Sequence, residues 1–363
     1  MAFMKSKQRV ANLTRAHAVS DETLKKLGID RARLQEITAQ FQGTLVFPGD
    51  PNYDQDRQES NPAFQEYPQV IAYCQVWDDV AYCLSWAHQS QLWVTCRSGG
   101  HSTAGYSVNS GMVIDVSRFS YVNVDPATQT ARVGAGTNFG TLNAALDPYG
   151  LHVPGGGCGS VCVAGYMQGG GFGFTSREFG MKCDNVISVT VMLADGSIVE
   201  AAQNTNYALY WAVRGGTGDN FGVLLEVVYQ LHPLGNLWGF GILWNDMNDA
   251  PAALKMMQDQ FTTSGAPSTL GYMTIITGQP PAAGNPPVLM MRGMFDGPRD
   301  QGLALIQPLL NIASAQLQID MVGSYSTLNA YLLEKPYDIP VLPDGAKEDK
   351  QAGYVAQRMT LAQ

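Results

Sequence analysis

Apolar residues recur at helical spacing early in the chain. Leu24, Leu27, Ile29, Leu34, Ile37 and Phe41 follow this pattern, with Asp30 placed as an N-cap. Gly43–Phe47 reads as a short strand stopped by Pro48-Gly-Asp-Pro51. An amphipathic helix over Trp77–Gln89 and a strand over Leu92–Arg97 follow, so the opening is expected to be a β-α-β unit. Further on the pattern predicts strands at Gly111–Val116 and Thr130–Val133 and a helix at Asn138–Leu146. Ile187–Leu193 and Ser197–Ala201 flank Asp195-Gly196, a strong hairpin signal. A helix at Tyr207–Val213 and a buried strand at Gly222–Leu231, closed by His232-Pro233, complete this region.

After Pro233 the glycine clusters stop. Strand-like runs at Trp238–Trp244, Thr269–Ile276 and Val288–Phe295 alternate with helical ones at Ala252–Phe261 and Asp300–Ile312. Three divisions are therefore expected: a helical segment over 1–42, a glycine-rich domain over 43–233, and a sheet-plus-helix domain over 234–363. Lys350–Met359 reads as a late helix of the last division.

Composition narrows the function. Of 363 residues, 45% are hydrophobic and 15% charged, which suits a large core and excludes a disordered chain. The net charge is -9, and the 22 Lys and Arg form no cluster, which excludes a nucleic-acid surface or an anionic-membrane surface. No apolar run reaches membrane-spanning length. The opening Met1–Val10 has charges with no apolar stretch behind them, so the cytoplasm is the expected location, or secretion if a leader has been removed. Six scattered cysteines do not form a disulfide framework, and no metal site is expected despite the Cys158–Cys162 spacing.

Of the 39 glycines, 15 fall in clusters at three places. Arg97-Ser-Gly-Gly-His-Ser102 directly follows a strand, and consecutive glycines there can aim backbone N–H groups at an anion. No Gly-Lys-Ser/Thr accompanies it, so a Walker loop is excluded. Pro154–Val161, Gly165 and Gly169–Gly173 form the second place, with Cys158 as a thiol lacking bulky neighbours. Trp211–Gly222 forms the third. Such runs cost about 0.5–1 kcal/mol per glycine relative to Ala, a cost that a large flat ligand lying on the backbone would offset. A tight turn with an exposed His, a buried structural Cys and a long loop remain the plain alternatives. No hydrolase elbow or zinc-protease signature occurs.

Taken in order, these pieces resemble the berberine-bridge-enzyme-like flavoprotein oxidases of the vanillyl-alcohol-oxidase type. The resemblance runs from about Gly43 to Pro233. It is carried by Pro48–Tyr53, Arg57, Asn61, Pro68 and Asp79-Val80, and by Arg97–Ser102 as the signature loop. Gly155–Gly173, Asp184–Val186, Leu193–Gly196 and Arg214–Gly222 complete it. It implies an α+β fold: a PCMH-type two-subdomain FAD-binding domain and a substrate domain with an antiparallel sheet covered by helices. It implies bicovalent FAD, with His101 on the 8α-methyl and Cys158 on C6. The cofactor-binding set it implies is Arg97, Ser98, Gly99, Gly100, His101, Ser102, Cys158, Val161, Gly165, Gly170, Gly171, Gly173 and Val223.

The implied chemistry is an oxidase reaction. Hydride leaves a CH–OH group of a sugar, alcohol or secondary-metabolite intermediate for flavin N5 while a base removes the hydroxyl proton. O2 then takes the electrons and gives H2O2. The family's C-terminal segment, which often carries the base, has no counterpart before Gln363, so Tyr106 is the candidate base, with Tyr325 and Tyr331 behind it. A flavin-binding remnant without turnover and a dehydrogenase with another acceptor are the alternatives. The aromatics Trp238, Phe240, Trp244, Tyr272 and Phe295 could stack on a substrate ring or simply form core.

Overall fold

The computed structural model describes residues 11–218, 220–277 and 287–334. Residues 11–18 are helical and are followed by helices α1 (Asp21–Lys26) and α2 (Arg31–Gln40). The Asp30 carboxylate caps α2 by accepting from the Arg33 amide at 2.7 Å. Leu24, Leu27, Leu34, Ile37 and Phe41 are buried, in one core with the sheets that follow.

The first sheet has the order β1-β2-β4-β3, from Thr44–Val46, Val70–Tyr73, Val94–Arg97 (β3) and Met112–Asp115 (β4). The expected β-α-β unit exists, but its first strand differs from the one predicted. β2 and β3 both pair parallel to β4, whereas β1 is antiparallel to β2. The crossover therefore runs from Val70–Tyr73 through α3 (Trp77–Ser90) to β3. Val80, Cys83, Trp86 and Ala87 form the buried stripe of α3.

The register of β3 on β4 sets Arg97 opposite Asp115. Their side chains are 5% and 3% exposed and meet with Nε donating to Oδ2 at 2.6 Å. The guanidinium also donates to the Asp56 carbonyl at 2.8 Å and the Tyr73 hydroxyl at 3.2 Å. Asp115 accepts from the Ser117 amide at 2.9 Å. Both charges are thus saturated, as burial requires.

The second sheet is antiparallel, in the order β5-β6-β10-β8-β9. Its strands are β5 (Val122–Asp125), β6 (Thr130–Gly134), β8 (Val186–Met192), β9 (Ile198–Ala202) and β10 (Val223–Gln230). The Asp195-Gly196 hairpin forms between β8 and β9, with Gly196 donating to the Leu193 carbonyl at 2.9 Å. Helices α4 (Phe139–Leu146) and α5 (Val163–Gln168) lie between β6 and β8 in sequence. The short pair β7 (Leu151–His152) and β11 (His232–Pro233) closes this half.

The last sheet is antiparallel throughout, in the order β13-β14-β12-β15. Its strands are β12 (Leu237–Trp244), β13 (Leu270–Thr277), β14 (Val288–Phe295) and β15 (Ala315–Gly323). Period-two alternation splits β12 between two cores. Trp238, Phe240, Ile242 and Trp244 pack with the helices α6 (Ala250–Phe261) and α7 (Arg299–Leu310). Leu237 and Leu243 face the other way, toward Leu328 and Leu332 of α8 (Tyr325–Glu334) and toward Phe174. These aromatics are core, the plainer of the two expectations. Strands β2, β5, β7 and β15 have no counterpart among the expected elements. Lys350–Met359 lies outside the described residues.

Removing one partner of a saturated buried pair strands the other charge, at a cost of about 3–5 kcal/mol. Asp115→Ala is expected to lower stability by about that amount at matched flavin content, read from a denaturant titration. The double change Arg97→Met with Asp115→Leu should recover much of the loss. A loss under about 1 kcal/mol for Asp115→Ala would mean the pair is not what holds this end of the sheet.

Candidate functional site

The loop after β3 bends back over the sheet. Gly100 adopts φ +66°, a conformation that costs a residue with a side chain about 1 kcal/mol or more. Its carbonyl accepts from the Ser60 amide at 2.8 Å. Among the described residues, the amides of Ser98, Gly99, Gly100 and Ser102 donate to no protein acceptor. They line a cleft of about 360 Å³ that continues into a second, polar recess beside Asp56, Glu59 and Ser60. Unpartnered amides beside a glycine bend are a binding site for an anion such as a pyrophosphate.

His101 stands at the end of this run. Its Nδ1 lies 2.9 Å from the Ser60 hydroxyl and its Nε2 3.0 Å from the Ser160 hydroxyl. Cys158, an exposed thiol, is 3.2 Å from the same Ser160 oxygen. The two residues singled out from distant parts of the sequence therefore converge on one hydroxyl. Cys162 behaves differently. It is buried, its thiol donates to the Gly136 carbonyl at 3.3 Å, and burial pushes its pKa up to about 11. It packs against Gly99, where a Cβ would come within 3.0 Å of its sulfur.

The other predicted residues divide. Arg97, Ser98, Gly99, Gly100, His101, Ser102, Val161, Gly165 and Val223 line the cleft, as does Tyr106. Arg97 does so while its guanidinium is held by Asp115, so its first role is structural. A Cβ on Gly165 would meet nothing within 4 Å, so the first turn of α5 presents bare backbone to open space. Gly170, Gly171 and Gly173 do not line the cleft among the described residues. At Gly171 and Gly173 the missing side chain makes room for protein, and Gly170 and Gly171 adopt positive φ. The carbonyls of Gly170 and Gly171 accept from Cys183 and Lys182, and a Cβ on Gly173 would sit 2.0 Å from the Gly155 carbonyl oxygen.

Tyr106 is 63% exposed at the mouth of the cleft. Its backbone is fixed by the Ser102 hydroxyl, which accepts from its amide at 3.0 Å, and by the Thr95 hydroxyl, which donates to its carbonyl. Tyr325 is buried, donates to the Gly155 carbonyl at 3.3 Å, and has its pKa raised by burial. It does not line the cleft, and Tyr331 packs with the apolar residues beneath the last sheet.

Several lining residues were not in the predicted set. Tyr166, Gln168 and Gly169 come from α5 and its end, and Thr217, Gly218 and Gly222 come from the third glycine cluster. The glycine count of that cluster and its place in the resemblance are the signals for it. Ser60 and Ser160 had no signal. Behind the second glycine loop, Lys182 is buried and donates to the Pro154 carbonyl at 3.3 Å, and burial lowers its pKa to about 7.

The residues present fit FAD. Free amides stand at one end, a bare helix turn in the middle, and an imidazole and a thiol share a hydroxyl. No helix among the described residues is long and apolar enough to cross a membrane.

Comparisons with known proteins agree with this geometry. Residues 68–202 match the family model of an FAD binding domain. The FAD-linked oxidoreductase pynB of Aspergillus niger is 36% identical over 206 residues, which is 56% of this chain and 38% of that protein. The carbohydrate oxidase of Microdochium nivale is 29% identical over 302 residues, 81% of this chain and 59% of that protein. A solved variant of Physcomitrella patens BBE-like 1 superposes with a TM-score of 0.76 at 25% identity, covering 84% of this chain and 65% of that chain. The chain thus spans less than two thirds of each of these relatives. Residues 68–202 thus carry an FAD-binding domain, and the architecture around it resembles that of solved BBE-like and carbohydrate oxidases.

Proposed function

We propose that this chain holds FAD through covalent bonds to both His101 and Cys158 and works as an oxidase on a CH–OH group of a sugar, alcohol or secondary-metabolite intermediate. One observation carries the reading: an imidazole and an exposed thiol meet at the Ser160 hydroxyl beside a cleft with unpartnered amides. When bound, FAD supplies a hydride acceptor and a route for the electrons to O2, giving H2O2. A dehydrogenase would differ only in the final acceptor.

The protein's own contributions follow from the geometry. Ser98–Gly100 offer amides to the phosphates. The bare turn at Gly165 lets a ring lie against backbone. Tyr106, at the cleft mouth, is assigned to accept the hydroxyl proton of the substrate. We divide the chain at 43 and 233, with the cofactor held before Pro233 and the substrate met by the last sheet. The separate cores support the division at 233, whereas the helices before residue 43 share the core of the part that follows them. The names of the M. nivale carbohydrate oxidase and of the (R)-6-hydroxynicotine oxidase of Paenarthrobacter nicotinovorans favour a small-molecule substrate.

Intact mass of the denatured protein tests the tethers. The wild type should carry one FAD, His101→Ala and Cys158→Ala should each retain it through the remaining bond, and the double variant should lose it. A bare wild-type mass would contradict the bicovalent reading.

Glycine substitutions test the cleft. Gly165→Ala adds a methyl to open space inside a helix, where Ala is favoured by about 1 kcal/mol over Gly. Flavin-free stability should hold or rise, while the methyl should cost about 1–3 kcal/mol in flavin binding. Gly173→Ala should do the reverse, lowering stability first. Melting curves with and without added FAD separate the two, and equal behaviour of the variants would refute the assignment.

A further inference from the structure

Helix α8 belongs to the last sheet by packing, yet its polar side chains reach into the loop that carries Cys158. Leu328 and Leu332 are fully buried beneath that sheet, and a Cβ on Gly239 of β12 would come within 2.9 Å of Leu328. On the same face of the helix, at its N-terminal end, Tyr325 donates to the Gly155 carbonyl at 3.3 Å. Asn329, one helical turn on, donates to the Gly156 carbonyl at 3.3 Å and the Gly157 carbonyl at 3.1 Å. Residues four apart share a helix face, so one face reads three consecutive carbonyls. Two carbonyl acceptors also fix the Asn329 amide with its nitrogen toward the loop.

The loop has no side chains of its own to hold it. A Cβ at Gly155 would lie 2.5 Å from the Phe139 ring, and one at Gly156 would lie 3.0 Å from Tyr166. The glycines therefore lie flat against these two aromatic rings, and their carbonyls need partners on the other side. Asn329 supplies them from a site only 3% exposed, and its Oδ1 is buried there without a partner. A buried amide left half satisfied is costly, which argues that the donor side matters here. Ser324 and Ser326 anchor the start of α8 by donating to Asp147.

We infer that Asn329, backed by Tyr325, is a positioning residue for Cys158: it clamps the Gly155–Gly157 backbone so that the thiol stands beside Ser160 and His101. The last sheet thereby sets the geometry of one tether, while the Nδ1 side of the His101 ring meets Ser60, outside the clamped loop. The clamp follows from the hydrogen bonds themselves, and its consequence for the cofactor rests on the tether reading above.

Two readouts on the full-length protein test it. The first is hydrogen exchange of the peptide spanning Gly155–Val161 in flavin-free protein. Asn329→Ala should exchange roughly five- to tenfold faster there, Tyr325→Phe should do so to a lesser degree, and Asn329→Gln, which keeps the donor, should restore slow exchange. The second is peptide mapping after denaturation and thiol alkylation of flavin-loaded protein. Asn329→Ala should leave Cys158 alkylated and flavin-free in most molecules while the His101 peptide keeps its flavin. Unchanged exchange in Asn329→Ala overturns the clamp, and unchanged Cys158 occupancy against a loaded wild type overturns its role in tethering. A wild type with flavin on His101 but not on Cys158 contradicts the bicovalent reading instead, and exchange then decides the clamp alone. If Asn329→Ala does not fold, Tyr325→Phe and Asn329→Gln carry both comparisons.

Discussion

The Arg97–Asp115 ion pair is the constraint on which the rest of the site depends. It lies across two parallel strands, so it fixes where β3 ends and where β4 ends at once. Everything between those points, from Ser98 to Gly111, is a loop with both ends tied. A loop held this way can leave several amides unpartnered without collapsing on them, because the sheet and not the loop bears the folding cost. The pair also explains why an arginine in a cofactor-binding motif need not touch the cofactor. Its guanidinium is spent on Asp115, Asp56 and Tyr73.

Glycine does two different things in this chain, and the distinction organises the site. At Gly173 the missing side chain lets one backbone segment lie on another, and at Gly155 and Gly156 it lets the backbone lie on aromatic rings. At Gly165 it leaves space that no protein atom fills. The first kind packs the glycine loops behind the cleft, and the second kind opens into it. The aromatic and carbonyl contacts of these loops come partly from α8, which is rooted in the last sheet. The cofactor side and the sheet after Pro233 are thus one mechanical piece near Cys158.

Much of the fold was legible in the sequence. Asp30, the stripe of α3, the Asp195-Gly196 hairpin and the alternation of β12 each rest on local chemistry that a pattern can expose. Val70–Tyr73 was not read, because four apolar residues after a proline carry no periodicity, and the strand owes its place to β4. Ala315–Gly323 does alternate, with Leu317, Ile319 and Met321 separated by Gln318 and Asp320, but it lies at a sheet edge with half-exposed faces. In the site, His101 and Cys158 were reached through a family resemblance, and the shared Ser160 hydroxyl lay beyond any spacing rule. The resemblance implies Gly170, Gly171 and Gly173 as cofactor contacts; they do not line the cleft among the described residues, and a glycine motif does not say whether a missing Cβ makes room for a cofactor or for protein. Asn329 has no sequence signal, because its partners are backbone carbonyls 172 and 173 residues away.

The central claim is that the cleft between the Ser98–Ser102 loop and the start of α5 is where the flavin resides. A crystal structure of the protein loaded with FAD tests this most directly. The account predicts isoalloxazine density joined to both His101 and Cys158, with the phosphates on the amides of Ser98–Gly100. A flavin bound elsewhere, with His101 still hydrogen-bonded to Ser60 and Ser160 and the cleft filled by solvent, would contradict it.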